Sequence, residues 1–73
     1  MPVTNVENGK TYTNSLILMF KDSISGIKKI EIDGEEVPTA NNTKYFYLEG
    51  QYTVELWDKA GNHIKYKFSL KKE

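Results

Sequence analysis

The chain has 73 residues, enough for one domain, and a domain of this size buries only about 60% of its unfolded surface. It has no cysteine, which excludes disulfides and thiolate metal sites and fits both a cytosolic protein and many Gram-positive surface proteins. Ten lysines balance ten acids and arginine is absent, so the long-range field and bidentate contacts of a nucleic-acid binder are missing, and no apolar run approaches the roughly 20 residues that span a bilayer.

In chain order, Pro2–Val6 and the segment around Tyr12 predict one short edge strand broken near Asn8-Gly9. SLILMFKD alternates, with Leu16, Leu18 and Phe20 on one face. A turn at Ser25-Gly26 leads into GIKKIEIDG, with Ile30 and Ile32 inward. Asp33-Gly34 predicts a tight turn toward Val37, and Pro38 demotes that segment to an edge or a loop. The ANN stretch at 40–42 reads as a loop. In TKYFYLE the inward pair is either Phe46 and Leu48 or Tyr45 and Tyr47; Phe46 and Leu48 are favoured, with the tyrosines outward, because tyrosine tolerates solvent better.

The last two strands can be registered from sequence. Pairing Tyr52 with Phe68, Val54 with Tyr66 and Leu56 with Ile64 puts all six on one face, with Leu70 in phase and Glu55 opposite Lys65 on the other. A slip of one residue would bury lysines. Asp58 opposite Asn62 leaves Lys59-Ala60-Gly61 as a three-residue loop, in which glycine fills a left-handed position and the Asp58 carboxylate accepts backbone N–H groups. Six or seven short antiparallel strands imply an all-β sandwich or small barrel, with residues 1–73 as a single domain.

The stretch G-x-Y-x-V-x-L-x-D-K-A-G-N, Gly50 to Asn62, resembles the closing hairpin of bacterial immunoglobulin-like domains. NGKTY at 8–12, LILMFKD and GIKKIEIDGEEV at 26–37 match that family's order of elements. The resemblance implies an immunoglobulin-like β-sandwich, in which Tyr52 would form a tyrosine corner by bonding upstream backbone. It lacks the cysteine pair and third-strand tryptophan of antibody domains. There is no signal peptide, so a secreted parent would make this chain a piece of a larger multidomain protein.

The candidate sites each have a plainer reading. Trp57, with Tyr45 and Tyr47, would make an outward aromatic platform for a glycan or partner; self-packing over lysine stems and contact with a neighbouring domain are the alternatives. His63, the only histidine, is expected on the surface. Asp33, Glu35 and Glu36 at one turn, with Asp22 and Asp58 elsewhere, lack a calcium-loop pattern, so no metal and no cofactor is expected. The Asn41-Asn42-Thr43 sequon matters only in a eukaryotic secretory pathway. Tyr52, Asp58, Gly61 and Asn62 have structural explanations, and no nucleophile, base and orienting group converge, so the chain is not expected to be an enzyme. By family resemblance, the expectation is a monomeric spacer in an extracellular or wall-attached protein of a Gram-positive bacterium, contacting neighbouring domains. A module that adheres to a glycan or to a host or cell-wall protein is the alternative.

Overall fold

The alternation of apolar and polar residues becomes eight strands in the computed structural model, which describes residues 2–22, 26–38 and 42–73. They are β1 (Val3–Thr4), β2 (Thr11–Thr13), β3 (Leu16–Lys21), β4 (Ile27–Ile32), β5 (Glu35–Val37), β6 (Thr43–Phe46), β7 (Gly50–Asp58) and β8 (His63–Lys71). Two sheets pack together, one of order β1-β3-β6 and one of order β2-β8-β7-β4-β5. The molecule is therefore all-β, in a two-layer sandwich arrangement. Ser25, Ala40 and Asn41, expected in turns and the sequon, lie outside the described residues.

The β7–β8 ribbon has the register that parity requires: Tyr52 opposite Phe68, Val54 opposite Tyr66, Leu56 opposite Ile64 and Glu55 opposite Lys65. Val54, Leu56, Phe68 and Leu70 are buried, Tyr52, Ile64 and Tyr66 half-buried, and Lys65 and Lys67 exposed. Leu18 and Phe20 of β3, Ile30 of β4, Phe46 of β6 and Val6 complete the core. Rings bridge the two sheets: Phe46 meets Phe68 edge-on at 5.2 Å and Tyr52 at 4.7 Å. Such contacts add about 0.5–1.5 kcal/mol each to the burial of their area.

Two turns follow from local chemistry. Asp33 and Gly34 both take positive φ, 53° and 86°, between Ile32 and its partner Glu35. That is the two-residue hairpin geometry whose twist matches its strands. Asp33 also accepts the Thr53 N–H at 2.8 Å through its carboxylate, tying this turn to β7. At the β7–β8 turn Gly61 has φ 93°.

Four expectations need correction. Among the described residues there are eight strands, not six or seven, because the divided N-terminal segment makes two and Glu35–Val37 forms a true edge strand before Pro38. They are not all antiparallel: β2 runs parallel to β8, with Thr11 opposite Ser69 and Thr13 opposite Lys71. The break at Asn8-Gly9 carries the chain from one sheet to the other, so the N-terminal segment edges both sheets. Leu48 is 63% exposed, because β6 ends at Phe46 and the alternation stops with it.

Asparagines make the sheet switch possible. Asn5 accepts from Met19 N–H through Oδ1 and donates to Ile17 O through Nδ2, so its amide continues the pairing that β1 begins with β3. Asn8 Oδ1 accepts the Lys67 N–H, and Gly9 N–H donates to Lys67 O. Asn14 N–H donates to Lys71 O, and its Oδ1 accepts the Glu73 N–H. The C-terminal residues thus lie beside Asn14, just before β3 begins. Val3 instead pairs with Lys21, where β3 ends. The chain enters at one end of the sandwich and leaves at the other, along a body 39 Å in its longest dimension.

Candidate functional site

The outer face of the five-stranded sheet carries a row of side chains across three strands. Lys29 on β4, Trp57 on β7 and His63 on β8 are cross-strand neighbours. The Lys29 ammonium sits 4.2 Å from the indole centroid, and the His63 ring stacks on the indole at 4.5 Å, 14° from parallel. A cation over indole contributes about 0.5–1 kcal/mol at an exposed site. The row is tied down by carboxylates: Lys29 to Glu31 at 3.2 Å and His63 Nε2 to Glu55 at 2.8 Å. Trp57 thereby has a lysine and a histidine against it and is half-buried. His63 is on the surface, across from Trp57 as the β7–β8 register places it, and has in Glu55 a carboxylate partner that the register alone does not reveal.

At the end of this row the β4–β7 register slips. Ile27 pairs with Asp58 and Lys29 with Trp57, so Lys28 is an extra residue on β4. Bulges of this kind re-aim side chains. Lys28, Lys29, Trp57, Lys59 and Gly61 line a hollow of about 290 Å³ there, together with Asp58. The Asp58 side chain belongs to the turn: it is 1% exposed and accepts Ala60 N–H at 3.0 Å, Asn62 N–H at 2.7 Å and Asn62 Nδ2 at 2.7 Å.

Tyr45 and Tyr47 do not join Trp57. Tyr45 is on β6 in the three-stranded sheet, opposite Ile17, whereas Trp57 is on β7 in the other sheet. The expected single platform is therefore two separate surfaces. The two tyrosine rings stack on each other at 5.6 Å and are each 54% exposed. Val3, Ile17 and Met19 on the neighbouring strands are exposed as well. The outer face of this sheet is thus apolar, while that of the five-stranded sheet is charged.

Tyr52, near the start of β7, donates its hydroxyl to Leu48 O at 2.5 Å, four residues upstream. Its ring is half-buried between Phe46 and Phe68. Among the described residues no group of three or more His, Asp or Glu side chains is placed to hold a metal ion. Neither a family model, nor a curated protein, nor a solved structure matches the chain.

Proposed function

We propose that the protein is an immunoglobulin-like module whose role is to link and space other parts of an extracellular bacterial protein without catalysis. The observation that carries this reading is the path of the chain, which enters beside Lys21 and leaves beside Asn14, at opposite ends of β3. A module threaded end to end transmits tension along its length. Its parallel β2–β8 pair is fixed by Gly9 N–H to Lys67 O, Ser69 N–H to Lys10 O and Asn14 N–H to Lys71 O. A load applied at the two ends pulls these strands in opposite directions, so their bonds are loaded together and not one by one.

The immunoglobulin-like assignment has two further supports. Taking β1 and β2 as a divided first strand, the partition of strands into A-B-E and A-G-F-C-C′ follows the order of that sandwich. The Tyr52–Leu48 bond has the geometry of a tyrosine corner at the start of strand F.

Two copies joined last residue to first are expected to scatter X-rays as a rod about 78 Å long, twice the 39 Å of one. A folded-back particle no longer than a single copy would overturn the spacer reading.

A second reading, adhesion to a protein or glycan, is favoured by the apolar face of Ile17, Met19, Tyr45 and Tyr47. Chemical-shift titration with a panel of neutral glycans separates the two. Saturable shifts at Tyr45 and Tyr47 would install the adhesive reading, and silence across the panel favours the spacer.

A further inference from the structure

We propose that the hollow at the β4–β7 bulge is a binding site for a small ligand bearing a phosphate or sulfate group. It stands apart from the spacer reading, and its failure leaves that reading intact.

The chain as a whole is neutral, but its cations are not evenly spread. The bulge inserts Lys28 directly before Lys29, and the β7–β8 turn brings Lys59 to the same hollow. Three lysines thus line one concavity of about 290 Å³ together with Asp58; Lys29 is paired with Glu31, which leaves Lys28 and Lys59 as the cations an oxyanion would meet first. Like charges gathered at a concave surface focus a positive potential that an oxyanion relieves. Lysine acts here as a point charge, which suits phosphate and sulfate without demanding a fork of paired donors.

The acids on the same strands are already engaged. Glu31 holds Lys29. The Asp58 oxygens accept the amides of Ala60 and Asn62 inside the turn. Glu55 is held by His63, on the other side of Trp57 from Lys29 in the strand order.

Part of the wall is packed before any ligand arrives. Trp57 is packed by Lys29 and His63. The Lys59 stem passes 3.8 Å from where a Cβ on Gly26 would stand, and Lys59 N–H donates to Gly26 O. Pre-organised groups lose less freedom on binding, which favours affinity. The site faces a different side of the molecule from the tyrosine pair, so the two surfaces can be told apart residue by residue.

The test is an amide and indole chemical-shift titration of the intact protein at low salt. The probes are inorganic phosphate, inorganic sulfate, glucose 6-phosphate and, as a neutral control, glucose. Saturable shifts are expected at Lys28, Trp57, Lys59 and Gly61 with the three anions and not with glucose. Equal affinity for inorganic phosphate and the sugar phosphate would identify the free ion as a sufficient ligand. Tighter sugar-phosphate binding would show that the body of the ligand also contacts the hollow. Lys28→Gln and Lys59→Gln should each weaken binding about threefold, as expected for one exposed ion pair. Lys65→Gln and Lys67→Gln, on β8, should leave it unchanged. Shifts spread evenly over Lys65, Lys67 and Lys71, equal effects of all four substitutions, or no saturable shift with any anion would overturn the proposal.

Discussion

At the residue scale, Asp58 shows how a small fold concentrates stability in one polar side chain. It is buried, yet its carboxylate meets three N–H donors of its own turn. Asp58→Ala leaves those donors unmet and should cost about 2–3 kcal/mol, read as a lower urea midpoint. A variant with an unchanged midpoint would contradict the role given to the turn. Tyr52→Phe is expected to be milder. It keeps the packing on Phe46 and Phe68 and removes only an exposed bond to Leu48 O, so a loss of about 0.5–1.5 kcal/mol is predicted. Gly61→Ala meets no neighbour within 4 Å but must hold φ 93°, and should destabilise by about 1–2 kcal/mol through the backbone alone. Asp58, Gly61 and Asn62 were legible because turn chemistry is local in sequence. The latch from Asp33 to Thr53 was not, because it depends on which strand becomes a neighbour, and the His63–Glu55 bond was not, because it runs diagonally across a register that sets which residues face each other but not how their side chains turn.

At the element scale, parity carried the reading as far as the alternation lasted. The β7–β8 register followed from keeping lysines out of the core, and a nine-residue strand leaves little freedom to slip. The prediction failed at Leu48, where the strand ends before the pattern does. It placed a break near Asn8-Gly9 but missed that the two halves join different sheets, since β1 has two residues and β2 three. Strands that short have no periodicity to read, and side chains of Asn5, Asn8 and Asn14 do part of their pairing. The free edge strand β6 carries a protective device of the same scale. Lys44 stands opposite buried Leu18 and in phase with buried Phe46, yet is itself exposed. A charge on the inner side of an edge strand opposes pairing with another molecule. Lys44→Val is therefore expected to raise self-association, seen as growth of a larger species by light scattering with concentration. An equally monodisperse variant would show that the edge is guarded by something else.

At the scale of the whole molecule, the two outer faces differ. One is apolar around Ile17, Met19 and Tyr45; the other is charged around Lys29, Glu31, Glu55 and Lys65. Trp57, Tyr45 and Tyr47 were expected outward as one platform, but that they occupy opposite layers was not legible, because layer membership is set by long-range pairing. The same pairing places the entry and exit of the chain at opposite ends of the sandwich, on which the spacer proposal rests. Single-molecule pulling along two axes tests it most directly. Handles at Pro2 and Glu73 load the parallel β2–β8 bonds together, whereas handles at Glu49 and Lys71 peel the β7–β8 ladder from its open end, where Gly50 pairs with Leu70. Rupture at a clearly higher force along the first axis is predicted. Equal forces, or a weaker end-to-end axis, would contradict the claim that this fold is built to carry load between its ends.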